Sequence, residues 1–387
     1  MDGTTIPHQE PVSSATGAEP EATRSVPPGG AVSRRGLLSG AAASAVLTTA
    51  GGLALMSRAP ARASAAASVP RGGVLREYWI QADAFLHNLV PMGLDGMMGT
   101  RYAPHQTSYW ALGYRAYTPG WGQPLAGNDA LGPNTGIPGP VLRATVGDTI
   151  RVHFRNNDRH YRFPHSIHPH GVVYRPESDG SWTALDPQKP GTAIGVGESY
   201  TYEYTVAPSS VGTWLYHDHS VPQALGKGGP VMELGAELGL FGIFAITDAQ
   251  TPPVDREVCL FMHDLYQDEI PVLAQDFDCF NGRAFLGNTP TITARVGERV
   301  RWRVATLGKE FHAFHLHGHR WLFNGRYDDT LVLGPATTVT FDFVEDNPGT
   351  WLYHCHVTDH MMGGMVGRYV VTVGSVTGYY EVTVGSG

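Results

Sequence analysis

Read for the spacing of its apolar positions, the chain is a succession of short runs in which hydrophobic and polar side chains alternate. In Gly147-Asp148-Thr149-Ile150-Arg151-Val152-His153-Phe154, Ile150, Val152 and Phe154 fall on one face and Arg151 and His153 on the other. A period of two belongs to half-buried β-strands. Gly, Pro, Asn and Asp separate the runs and place turns between them. The pattern also occurs twice, and that determines how the strands are organised. Gly297-Glu298-Arg299-Val300-Arg301-Trp302-Arg303-Val304 echoes the first run. Ser166-Ile167-His168-Pro169-His170-Gly171 is echoed by Ala313-Phe314-His315-Leu316-His317-Gly318. Gly212-Thr213-Trp214-Leu215-Tyr216-His217-Asp218-His219 returns as Gly349-Thr350-Trp351-Leu352-Tyr353-His354-Cys355-His356, with Asp218 and Cys355 the one difference. The expectation is an all-β chain of two tandem Greek-key sandwiches, spanning 64–250 and 251–387 and joined near Thr251-Pro252-Pro253-Val254. The Gly/Pro-rich stretch from Met92 to Pro140 reads as irregular coil on the first unit.

Composition changes this picture in three ways. A length of 387 residues is enough for two separate cores. A net charge of −8 without a basic stripe argues against a nucleic-acid partner. The N-terminal residues 1–63 read as an export leader rather than as part of the fold. Ser33-Arg34-Arg35-Gly36-Leu37-Leu38 is a twin-arginine pattern, Leu37 to Met56 is weakly apolar, and Ala61-Arg62-Ala63 is a cleavage site of the A-x-A type. The expected location is periplasmic or extracellular. No later segment has the length and apolarity of a membrane span.

The chemistry lies in the 18 histidines, most of which crowd into a few short stretches. Four His-x-His pairs stand out: His168/His170, His217/His219, His315/His317 and His354/His356. On a strand, residues two apart share a face, so each pair presents two imidazoles side by side. Four such pairs at matching places in a repeat point to metal. Cys355, between His354 and His356, must point the opposite way, into its own unit. His360 follows it five residues on and Met365 five further, while upstream His312 lies three residues before His315. Two imidazoles, a thiolate and a distant thioether make a blue-copper electron-transfer site.

These motifs resemble those of the multicopper oxidase family, and within it the two-domain small-laccase branch. The resemblance covers everything after the leader. It implies cupredoxin folds and four coppers per functional unit. His312, Cys355, His360 and Met365 would hold the type 1 copper. His168 and His315 match the type 2 ligands, and His170, His217, His219, His317, His354 and His356 the type 3 pair. It further implies one-electron oxidation of phenols or aromatic amines at the type 1 copper, relay through Cys355, and reduction of dioxygen to water. Tyr174 matches a tyrosine that serves as an extra electron source, and Asp179 an acid that handles protons. A methionine at position 365 implies a modest type 1 potential.

In the first unit Asp218 replaces the cysteine, Gln223 the later histidine and Gly228 the methionine. His165, in the place of His312, is expected to be a satisfied polar residue. His8, His87, His105, His153, His160, His263 and His319 lack partner spacing and are assigned structural roles. The branch assembles as homotrimers whose trinuclear sites form between subunits. Three alternatives stay open: a metallo-oxidase acting on ferrous or cuprous ions, a copper nitrite reductase, and a non-enzymatic copper or electron carrier. A disulfide between Cys259 and Cys279 is also left open.

Overall fold

A computed structural model describes residues 72–374 except 129–131, 134, 226 and 227. The twin-arginine stretch and its cleavage site, like His8, lie outside the described residues. The first half contributes β1 (Leu75–Asn88), β2 (Ser108–Tyr117), β3 (Leu142–Thr145), β4 (Thr149–Asn157), β5 (His168–Pro169), β6 (Ser199–Thr205), β7 (Gly212–His217) and β8 (Phe241–Thr247). They form two sheets of order β2-β1-β4-β6 and β3-β8-β7-β5. The second half contributes β9 (Arg256–Leu265), β10 (Phe277–Phe280), β11 (Thr291–Arg295), β12 (Arg299–Leu307), β13 (His312–Leu316), β14 (Thr330–Leu333), β15 (Thr338–Val344), β16 (Gly349–Cys355) and β17 (Val366–Thr372). Their sheets run β10-β9-β12-β15 and β11-β17-β16-β13-β14. In the main sheets the second half repeats the first strand for strand, with β14 added at an edge. The parallel pairing of β1 with β4 recurs as β9 with β12. The chain is therefore all-β in character, with the two tandem sandwiches the repeat predicted and the cupredoxin-like arrangement the family resemblance implied.

Alternation places side chains as expected where one face is wet. In β4, Ile150, Val152 and Phe154 are buried and the intervening residues partly exposed. It fails in two instructive places. The stretch Met92–Pro140 is not plain coil, because it contains β2, which pairs antiparallel with β1 from Trp79↔Tyr117 to Asn88↔Ser108. Ala111, Leu112 and Tyr114 of β2 are all buried, so the run does not alternate there. In β9, Val258, Leu260 and Met262 belong to the second core, whereas Cys259, Phe261 and Leu265 belong to the first. A strand covered on both faces reads as a continuous apolar run.

The seam between the halves is also polar in part. Arg303, 1 % exposed, donates from Nε to Glu257 Oε1 at 2.5 Å and from Nη1 to the Gly212 carbonyl at 3.0 Å. Thr213 and Thr340 hydroxyls meet at 2.6 Å. No disulfide joins Cys259 to Cys279. The register sets Cys279 opposite His263, four positions along β9 from Cys259, so a gap of roughly 13 Å separates them, beyond disulfide reach. Among the described residues no helix is long and apolar enough to cross a membrane.

Candidate metal centres

Cys355 ends β16 and is fully buried, with its side chain turned into the second core as alternation requires. Its Sγ lies 3.8 Å from His312 Nδ1 at the start of β13 and 3.7 Å from His360 Nδ1. His360 sits on α1 (Thr358–Gly363), the short helix that follows β16. The two imidazole nitrogens are 3.2 Å apart, so three donor atoms converge on one point. Met365 is fully buried, and its backbone carbonyl accepts from the Cys355 amide at 3.1 Å. Burial alone would raise the Cys355 thiol. Hydrogen bonds from His312, His360 and the Ala313 amide outweigh it and bring the thiol down to about 6. The donor set fits a soft, thiolate-favouring ion such as copper.

The remaining paired histidines form two sets. His168, His170, His217 and His219 gather at β5 and β7, and His315, His317, His354 and His356 at β13 and β16. Each set has the same internal wiring. His168 Nδ1 donates to the Asp179 carbonyl at 2.6 Å, as His315 Nδ1 does to the Asp329 carbonyl at 2.8 Å. His217 Nδ1 donates to the Asp218 carbonyl at 3.0 Å and His354 Nδ1 to the Cys355 carbonyl at 2.8 Å. These bonds place the proton on Nδ1 and leave Nε2 free to bind an ion. The Nε2 atoms of His170 and His217 then face each other at 3.2 Å, and those of His317 and His354 at 3.0 Å. With their protons held on Nδ1, His217 and His354 each offer an Nε2 lone pair that takes either a proton from the facing ring or a cation.

Electrostatics agree. Burial first, then repulsion from His168 and its neighbours, pushes His217 down to about 3 and His170 down to about 4. Burial lowers His168, His317 and His354 as well. Neutral imidazoles are what metal coordination requires. Among the described residues, histidine ring contacts stay within each set, so one chain presents two half-cages rather than one cage.

Tyr174 and Asp179 do lie beside His168. The Tyr174 ring is 6.3 Å from the His168 ring, and Asp179 Oδ1 is 3.5 Å from His168 Nδ1. Lys189 Nζ holds Asp179 Oδ2 at 2.5 Å, a partner that sequence gave no sign of. Two other neighbours were equally hidden: Asp264, whose Oδ2 is 3.4 Å from His312 Nε2, and Thr330, whose hydroxyl is 2.9 Å from His315 Nδ1. Asp264 comes from β9, far upstream of His312, and Thr330 from β14, the neighbouring edge strand.

At the first-half counterpart of Cys355, Asp218 Oδ2 takes His165 Nδ1 at 2.8 Å, and Asp158 Oδ2 takes His165 Nε2 at 3.3 Å. The Ser166 amide and the Ser220 hydroxyl also donate to Asp218, each at 2.8 Å. Burial would lower His165, but the two carboxylates overcome it and push it up to about 9. His165 is thus a satisfied buried cation, and Gln223 stands apart, bridged to Pro230.

A double-sandwich chain with a thiolate–bis-imidazole centre and outward-facing histidine pairs belongs to the copper-binding cupredoxin class. Multicopper oxidase family models match residues 119–249 and 262–375, together more than half of the chain, and the chain belongs to the multicopper oxidase family. The family's cofactor is copper, which the donor sets fit. A probable nitrite reductase-hydroxylamine oxidoreductase fusion protein of Kuenenia stuttgartiensis is 32% identical over 66% of this chain and 29% of its own. Ferroxidase HEPHL1 of Mus musculus is 28% identical over 77% of this chain and 29% of its own. The chain thus spans under a third of the length of these curated relatives. A solved multicopper oxidase shares the fold with a TM-score of 0.56, at 24% identity over 77% of this chain and 89% of that one.

Proposed function

We propose that the protein is a two-domain, laccase-like oxidase that takes single electrons from phenols or aromatic amines and reduces dioxygen to water. The observation that carries this reading is the convergence of His312, Cys355 and His360 on one point, with His354 and His356 flanking the thiol in the chain. Copper bound at these residues supplies one-electron redox chemistry at the type 1 centre and multi-electron reduction of dioxygen at a trinuclear cluster. The protein's own part is positional. The Cys355 backbone is a short covalent link between the two kinds of centre, and carbonyl-held imidazoles keep Nε2 aimed outward. Tyr174 and Asp179 flank His168, where an extra electron and a proton are useful.

In this reading His168 and His315 hold the type 2 copper, and His170, His217, His219, His317, His354 and His356 the type 3 pair. The two half-cages of one chain support completion by a second copy, the first-half set of one subunit meeting the second-half set of the next. Such head-to-tail contact closes a ring, which we take to be a trimer. The twin-arginine leader supports export in the folded state. A second reading, oxidation of ferrous ion at the same centres, is favoured by the ferroxidase among the relatives.

The test is copper content and absorption, then oxygen uptake with a phenol and with ferrous ion. About four coppers per chain, a blue band and phenol-driven uptake without peroxide support the laccase reading. Uptake with ferrous ion alone moves the protein to the metallo-oxidases. About two coppers and nitrite turnover sink both readings.

A further inference from the structure

The two halves also differ at three buried places that lie in register. His319 follows the His315/His317 pair where Val172 follows His168/His170. Glu345 follows β15 as Val206 follows β6, and each carbonyl accepts from a turn glycine, Gly297 at 2.8 Å and Gly147 at 2.9 Å. Tyr369 stands opposite Trp351 on β17, as Phe244 stands opposite Trp214 on β8. All six residues are buried. The first half thus fills this layer with Val172, Val206 and Phe244, and the second with His319, Glu345 and Tyr369.

The polar set is wired to the backbone of a histidine pair. The Tyr369 hydroxyl donates to Glu345 Oε2 at 2.6 Å, and His319 Nε2 lies 2.9 Å from Glu345 Oε1. The Asn347 amide donates to the same Oε1 at 3.1 Å. On its other side the ring donates from Nδ1 to the His317 carbonyl at 2.7 Å. The next peptide is held too, Asn347 Nδ2 donating to the Gly318 carbonyl at 2.9 Å. The turn forms without this apparatus. Gly171 and Gly318 share a left-handed conformation, with φ of +71° and +70°, and neither leaves room for a Cβ beside Trp214 or Trp351. What differs is cover. Gly171 and His219 are half-buried, whereas Gly318 and His356 are exposed. A satisfied buried polar network stiffens what it touches, and here it touches the turn that packing covers least.

We propose that His319, braced by Glu345 and Tyr369, is a positioning residue for the second-half copper ligands. It fixes the His317 carbonyl, and through it the aim of the His317 ring, before copper arrives. The inference rests on the copper-cluster reading above and adds residues that touch no metal. A loose turn loses conformational entropy when the ion captures His317, whereas a braced one has lost it already on folding. Partners that orient ligands in this way change metal affinity by about 10–100-fold.

The test transplants the first-half set into the oxidised, copper-loaded full chain. His319→Val combined with Glu345→Val removes both partners of the buried bond and repeats the Val172/Val206 solution. The double variant is therefore expected to fold, with a melting temperature near that of the parent. Each protein is dialysed against rising EDTA, and the retained copper and the blue band are measured. The double variant is expected to release its cluster copper at an EDTA concentration lower by about tenfold or more. The blue band of the Cys355 centre is expected to fade at the same concentration in both. Tyr369→Phe, which copies Phe244 and removes one hydroxyl, is expected to shift release by about threefold, and it carries the test if the double variant fails to fold. Cluster copper released at the parent's concentration from a folded variant, whatever its melting temperature, overturns the positioning role and leaves the cluster reading standing. A blue parent that holds only about one copper per chain overturns the cluster reading and the positioning role with it.

Discussion

At equivalent places in the two sandwiches, Cys355 and Asp218 each sit between a pair of outward-facing histidines, and each reaches inward toward a buried imidazole. What surrounds them differs in kind. Cys355 meets two imidazoles that have no carboxylate between them and the thiol. Asp218 meets one imidazole that is already clamped by a second acid, Asp158, and its remaining lone pairs are taken by Ser166 and Ser220. The first arrangement leaves three donor atoms converging on one point, with Asp264 only on the far side of His312, and the second is complete without any ion. One fold thus fills the same hole either with a site for a metal or with a protonated imidazole between two acids.

The largest expected effect comes from copying the first site into the second. Cys355→Asp should abolish the blue band, remove about one copper per chain, and cut phenol-driven oxygen uptake by a factor on the order of 10³ or more. A variant that remained blue would break the comparison.

The reverse perturbation, Asp218→Ala, strands His165 and Asp158 in the core and should cost about 3–5 kcal/mol in chemical denaturation, with the blue band retained. It should also change the pH profile of stability. His165 is raised to about 9, so its contribution is complete below its ordinary value near 6.5 and is lost as pH climbs through about 9. Burial would raise Asp158 and Asp218, but His165 and other hydrogen-bond donors hold both below the usual carboxylate range. Their contribution is therefore lost as pH falls into the acid range. Asp218→Ala should flatten the alkaline fall seen in the parent protein.

A smaller and more discriminating pair tests the shared scaffold. A Cβ on Gly242 would lie 2.3 Å from the Tyr216 ring, and one on Gly367 would lie 2.2 Å from the Tyr353 ring. Alanine at either position should cost about 1–3 kcal/mol. Only Gly367→Ala should shift the blue band, because Tyr353 is two residues from Cys355. Equal spectral silence in both would show that the scaffold does not tune the centre. Least of all, Lys189→Met should change stability by under about 1 kcal/mol, its ion pair with Asp179 being partly exposed, as a melting curve can check.

The repeat explains how much of this was legible beforehand. His-x-His spacing on strands, the inward-facing Cys355 and its companions His312, His360 and Met365 are local patterns, and local patterns survive in sequence. The salt-linked cluster at His165 was not legible, because Asp158 lies at the end of β4 and Asp218 far along the chain, and only the sheet packing joins them. Lys189 and Asp264 were hidden for the same reason. β2 was missed because its burial on both faces erases the alternation by which a strand is recognised.

The double allegiance of β9 has a consequence for how the molecule can be divided. Its odd-numbered side chains Cys259 and Phe261 complete the core of the half that precedes it, although the strand belongs to the half that follows. Cutting the connection between Thr247 and Arg256 would therefore free no independent module. An excised first half would be left with a bare apolar strip where those side chains had lain, and it would be prone to self-association. Melting is expected as a single cooperative event, since neither sandwich can lose its order without uncovering the other.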